Sequence, residues 1–138
     1  MIQVSSFRLY MLRAVYLFIA AGLALYVLPA ALHHDRPWEA MEGVVNCMLA
    51  AMGLLCLLGL RYPLQMLPVL MWEMVWKTIW LLLVALPMFQ SGQMDEAAWM
   101  NTAACLMGLV VPIAMPWRYV FERYVRQNGD RWTTTRQI

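Results

Sequence analysis

The chain predicts an all-α polytopic membrane protein: a four-transmembrane-helix bundle with a short C-terminal interfacial helix. Three observations carry that reading. First, 63% of the 138 residues are hydrophobic and only 13% are charged, against about 25% charged in a soluble domain. One soluble core cannot hide so much apolar surface, so most of it must face lipid. Second, apolar runs fall at residues 14–32, 44–60, 64–88 and 97–115, each close to the ~20 residues that a helix needs to cross the hydrocarbon. Third, none of these runs alternates as a barrel strand would, and backbone amides in lipid must be satisfied within their own segment. At this length one transmembrane domain, residues 1–138, is expected.

With their flanks the spans are placed at about 10–32, 39–60, 63–88 and 97–116, followed by a tail over 117–138. The first opens with "FRLYMLRAVY", in which Arg8, Tyr10 and Arg13 suit a membrane interface, and Pro29 marks its far end. It is expected to be retained, because its apolar stretch exceeds the ~7–15 residues of a signal-peptide core. In the second span Gly43, Cys47 and Ala51 recur at four-residue spacing, and Gly53, Cys56 and Gly59 extend the small-residue character inward, a stripe that would let helices approach closely. The third follows the turn "GLRYPLQMLP". Pro63 is expected near its first turn, Pro68 at a kink and Pro87 at its end. The fourth shows Ala97, Asn101, Cys105 and Gly108 at packing spacing. Helices two and four are expected to pack closely together or against their neighbours. The tail "PWRYVFERYVRQNGDRW" interleaves aromatics with arginines and reads as a helix lying in the interface, ending near Asn128-Gly129, with its arginines toward anionic lipid.

Charge asymmetry sets the expected topology. Arg8, Arg13, Arg61, Arg118, Arg123, Arg126, Arg131 and Arg136 fall on one side of an alternating four-span path. Asp35, Glu39 and Glu42, against Arg36, and Asp95 and Glu96 fall on the other. Both termini and the central turn are therefore expected in the cytoplasm. Cys47, Cys56 and Cys105 form no C-x-x-C pair, which argues against redox chemistry and favours thiols that pack between helices.

The third span contains the candidate site, "MWEMVWKTIW". Glu73 and Lys77 are spaced i, i+4 with the acid first, the better order for a helical ion pair. At about 100° per residue, Trp72, Trp76, Trp80, Glu73 and Lys77 share one arc of the helix, with Met71, Met74, Val75 and Ile79 opposite. Glu73 is expected about 15 Å past the turn, close to the midplane. A lone charge there costs ~2.5–3.5 kcal/mol, so the arc should face the bundle. Asn46 and Asn101 are expected at similar depth, completing a ligand-binding pocket of Glu73, Lys77, Trp72, Trp76, Trp80, Asn46 and Asn101. A self-neutralising structural pair explains the charges about as well. His33 and His34, beside the acidic loop residues, are weak metal candidates. Adjacent histidines do not easily share one ion, and no H-x-x-x-H spacing occurs, so a solvated acidic rim is the expected state.

The run "RYPLQMLPVLMWEMVWKTIWLLLVALP" with the ending "PWRYVFERYVRQNGDRW" resembles small bacterial inner-membrane proteins of four spans. The resemblance extends over most of the chain and implies a location and a fold but no activity. Small multidrug transporters fit less well, since they carry their essential Glu in the first span, and thiol-oxidising quinone reductases need external cysteine pairs. No catalytic constellation of nucleophile, His and acid is visible. The expected function is non-enzymatic binding of a lipid-like or hydrophobic ligand, with the lipid bilayer as partner. Neither a cofactor nor nucleic acid is expected, and a homodimer is compatible with the small interior. The alternatives are an accessory, assembly or immunity-type membrane subunit, and a small proton-coupled transporter using Glu73.

Overall fold

The computed structural model describes residues 2–33 and 37–133. His34, Asp35 and Arg36, and Arg136 in the tail, lie outside the described residues. Four helices long and apolar enough to cross a membrane are present: α1 (Ser6–Leu32), α2 (Ala40–Arg61), α3 (Leu67–Gln90) and α4 (Glu96–Ala114). A fifth, α5, covers residues 117–126. Among the described residues there is no strand. The chain is an all-α, multi-pass membrane bundle.

Caps set the helix ends. The Ser5 hydroxyl accepts from the Arg8 amide at 3.2 Å, so α1 begins a full turn before the expected span. Glu39 and Glu42 form a reciprocal capping box at the start of α2, and Asp95 accepts from the Ala98 amide at 2.7 Å at the start of α4. Three of the acidic loop residues are thus occupied with orphan amide groups, which every helix N-terminus exposes. At the end of α3, Gly92 adopts φ +71°. Its amide bonds to Phe89 O and that of Gln93 to Met88 O, a Schellman closure that needs a residue tolerant of the left-handed region.

The prolines of α3 act differently from expectation. Residues 63–66 form a turn, and α3 starts at Leu67 with Pro68 in its first turn, where a missing N–H costs nothing. Pro68 therefore introduces no kink. Pro87 does not end the helix either. The backbone widens into a π turn over Leu81–Ala85, with the Leu86 amide reaching Leu81 O, and then continues to Gln90. A proline cannot donate to, and clashes with, the carbonyl four residues before it, and the wider turn accommodates the ring. In α4 the outcome is a break. Helix runs over Glu96–Met107, stops at Gly108 and Leu109, and resumes over Val110–Ala114. Pro112 lacks the amide that would bond to Gly108 O, and that oxygen accepts from Val111 instead at 3.0 Å.

The core sits at one end of the bundle. Leu12, Val15, Tyr16 and Ile19 of α1 pack with Met52 and Cys56 of α2, Leu67 and Leu70 of α3, and Val111, Ala114 and Met115 at the end of α4. These positions all lie toward the 62–66 turn and the N-terminus. The closest approach is α1 on α2. A Cβ on Gly59 would stand 2.6 Å from the Tyr16 ring, and one on Gly53 3.7 Å from Leu23. The packing face of α2 is therefore Asn46, Gly53, Cys56 and Gly59, whereas Cys47 and Ala51 of the anticipated stripe are exposed. The expected extension through Gly53, Cys56 and Gly59 lies on this face, and the strict i, i+4 run through Cys47 and Ala51 does not. The true face follows the two glycines that admit Tyr16 and Leu23. In lipid, such close van der Waals contact is what holds helices together.

Two arginines of α1 tie this end shut. Arg8 donates to the carbonyls of Ile113 at 2.9 Å and Ala114 at 3.4 Å, and Arg13 to that of Leu60 at 2.9 Å. They satisfy the final carbonyls of α4 and α2 and set positive charge against two negative helix ends. Tyr16, fully buried, donates its hydroxyl to Pro63 O at 2.9 Å, anchoring the central turn. Of each span's most apolar stretch only 17–28% is buried inside the bundle. The rest faces outward, as a membrane-embedded chain requires.

Candidate functional site

Glu73 is 5% exposed, and Lys77 forms an ion pair with it one turn along α3. The Trp76 indole N–H donates to Glu73 Oε2 at 2.9 Å, and Lys77 Nζ lies 5.7 Å from the Trp76 ring centroid. The ammonium thus has both a carboxylate and an aromatic face as partners. On its other side the Lys77 end of the pair meets α4 at Gly108.

Its depth differs from expectation. Because α3 begins at Leu67, Glu73 is about 9 Å into the helix and Lys77 about 15 Å at 1.5 Å per residue. Lys77, near the middle of the 24-residue span, is the residue at the costly depth. Its neighbour there is the break in α4: a Cβ on Gly108 would lie 3.0 Å from Lys77 Cδ, from Nζ and from Cys105 O. The ammonium therefore rests where a half-helix ends in outward-pointing carbonyls, the negative end of its dipole.

The tryptophans do not all join the pair inside. Trp72 is 42% exposed, while Trp76 and Trp80 are half-buried. The inward face of α3 is centred on Leu67, Leu70 and Glu73, and Met71 and Met74 pack partly against the core. Trp72 instead stands 6.3 Å from Trp76, centroid to centroid, and walls a groove between α2 and α3. That groove has a volume of about 350 Å³, is bounded by Met48, Met52, Leu55, Pro68, Val69 and Trp72, and is almost wholly apolar. Sequence reasoning missed the α2 side of it. The only signal was methionine and leucine on the α3-facing side of α2, which looks like any lipid-facing surface.

The two asparagines lie on α2 and α4. Asn46 is buried near the start of α2. Asn101 is half-buried, one turn above Cys105 on the same face of α4. Of the metal candidates, His33 is exposed at the end of α1 and His34 lies outside the described residues. Among the described residues no three His, Cys, Asp or Glu side chains come together in a metal-binding group.

What remains is a closed ion pair backed by Trp76, with Trp72 between it and an open apolar groove. Comparison of the chain with protein-family models, with curated proteins and with solved structures finds no match, so the functional reading rests on these residues.

Proposed function

We propose that the chain is a multi-pass protein of the bacterial inner membrane, with both termini cytoplasmic, that binds one lipid-like or other hydrophobic molecule without catalysing a reaction. The observation that carries this is the α2–α3 groove: concave, nearly devoid of polar surface, and walled by Trp72 with adaptable Met48 and Met52. Binding sites for small hydrophobic molecules combine apolar and aromatic walls with a few placed polar groups. Here the polar group is the Glu73–Lys77 pair behind Trp76. The occupant is an elongated apolar molecule, because the groove lies along the lipid-facing side of two spans.

The orientation rests on the arginines gathered at the end that carries the N-terminus, the 62–66 turn and α5. The test of binding is native mass spectrometry of protein released from mild detergent. A discrete bound mass that is lost in Trp72→Ala and kept in Leu83→Ala, an exposed position elsewhere on α3, supports the groove. A bare protein, or a mass indifferent to Trp72, defeats it.

A second reading, proton-coupled transport, is favoured by one specific observation. The buried pair adjoins both the interruption of α4 at Gly108 and a helix that carries a π turn. Interrupted helices at mid-membrane depth mark ion and substrate sites in transporters. Proton-linked flux in vesicles that is abolished by Glu73→Gln would replace the binding reading.

A further inference from the structure

The groove and the ion pair leave α5, residues 117–126, without a role. It follows α4 after an extended step at Met115 and Pro116, and its sides have different surroundings. One side turns back to the bundle. Val120 is buried in the core cluster, with Tyr119 packed against it. Tyr119, Arg123 and Gln127 face Gln3, Val4 and Leu64 across a hollow of about 520 Å³. Gln127, a full helix length beyond Trp117, still shares that hollow with Leu64 of the central turn. α5 therefore runs across the end of the bundle and does not extend the axis of α4.

A second side is charged. Arg126 bonds to Glu122 at 3.3 Å, one turn apart, and Arg118 lies one turn before Glu122 on the same side. The third side is apolar and bare. Trp117, Phe121 and Tyr124, spaced i, i+4 and i+7, are 45–55% exposed, and Val125 beside them is 65% exposed. The Trp117 indole N–H donates to Pro112 O at 2.8 Å, so the ring presents no unmatched donor. No element among the described residues covers this stripe.

Two features identify its cover. α5 begins three residues after a helix long enough to span the membrane ends at Ala114, which holds it where hydrocarbon gives way to headgroups. Its charges are also lopsided: Arg118, Arg123 and Arg126 against Glu122 leave a net +2, and Arg131 and Arg136 follow with only Asp130 against them. An aromatic stripe flanked by arginines is how a helix sinks one side into an anionic bilayer surface. A second copy packed on the same stripe would instead set arginines against arginines, since a two-fold interface pairs a surface with itself.

We propose that α5 docks on the anionic surface of the bilayer, with Trp117, Phe121 and Tyr124 inserted among the lipids and the arginines at phosphate level. The attraction is to surface charge and selects no single bound lipid. It uses no residue of the α2–α3 groove.

The experiment is hydrogen exchange over residues 117–127 of the full chain in lipid nanodiscs, made of phosphatidylcholine alone or of phosphatidylcholine mixed with phosphatidylglycerol. Exchange should be about tenfold slower in the anionic discs, the scale expected of two net charges near such a surface, and the difference should shrink at high salt. Phe121→Ser should speed exchange in both lipids. Arg118→Gln with Arg126→Gln brings the net charge of α5 to zero and should cancel the difference between lipids. Trp132→Ser, fully exposed beyond α5, should change neither. Unchanged exchange in α1 and α2 shows that each variant is folded. Equal exchange in the two lipids, or a difference that survives in the folded double arginine variant, would overturn the proposal. So would protection seen only when two chains share a disc, which would make a second copy the cover.

Discussion

Removal of Lys77 alone should damage this protein more than removal of Lys77 and Glu73 together. Glu73 is almost wholly buried, and its partners are the Lys77 ammonium and the Trp76 indole. Lys77→Met takes away the paired cation and leaves a buried carboxylate without its ion-pair partner. Breaking a buried pair from one side costs about 3–5 kcal/mol. The Lys77 side chain retains 17% exposure, so the lower end, about 3 kcal/mol, is expected. Glu73→Gln should cost less, about 2 kcal/mol, because the glutamine oxygen can still accept from Trp76 and Lys77 keeps the carbonyl-rich end of the first half of α4 beside it. The double variant Glu73→Gln/Lys77→Met removes both charges and should lie within about 1 kcal/mol of the parent, since replacing both partners of a buried pair is often neutral. Two neighbours that act as a unit should thus show a coupling energy of at least about 2 kcal/mol. The assay is reversible unfolding in mixed micelles with rising SDS fraction, followed by helical circular dichroism. If each single variant were as stable as the parent, or the double variant were as unstable as the two singles combined, the pair would not be the neutralised unit described above.

Three further outcomes are expected. Gly59→Ala places a methyl 2.6 Å from the Tyr16 ring and should destabilise the bundle by about 1–3 kcal/mol through overpacking; in a Tyr16→Ala background the same change should cost little, and equal cost in both backgrounds in the micelle unfolding assay would place the strain elsewhere. Gly108→Ala crowds Lys77 and Cys105 O at 3.0 Å and should cost about 1 kcal/mol, with the cost shrinking in Lys77→Ala; no change on truncating the lysine would mean that Cys105 O alone resists the methyl. A reporter active only in the periplasm should stay silent when fused after Ile138, and a working fusion would reverse the proposed orientation.

The spans were legible because lipid imposes a local requirement. Each segment must satisfy its own amides and present apolar side chains, and both properties can be counted along the chain. The caps were legible in principle: Ser5-Ser6, Glu39 with Glu42, and Asp95 are ordinary N-terminal signals, but they sat in loops whose acids looked like a solvated rim. The two misread prolines, Pro68 and Pro87, share one cause with Pro112. A proline forbids one hydrogen bond, and whether the chain answers with a turn, a π turn or a break depends on what lies next to it. Pro68 found a helix start, Pro87 a widened turn, and Pro112 a glycine four residues earlier.

For the candidate site the division is similar. The i, i+4 ion pair and its Trp neighbour are consequences of helix periodicity, so Glu73, Lys77 and Trp76 could be joined from the sequence. Depth and facing could not. Each is set by where α3 starts and by which side of it meets α1, α2 and α4. Helical spacing constrains residues along one helix, but nothing in it relates Asn46 to Glu73 across two helices. Only the packed bundle turned Trp72 outward onto a groove shared with α2, set Lys77 against the break in α4, and carried Arg8 to the far end of α4. The sequence by itself determined four spanning helices, their charge asymmetry and the ion pair, because these arise from local hydropathy and periodicity. Tertiary structure alone decided which surfaces form cavities, because a cavity exists only between elements distant in sequence.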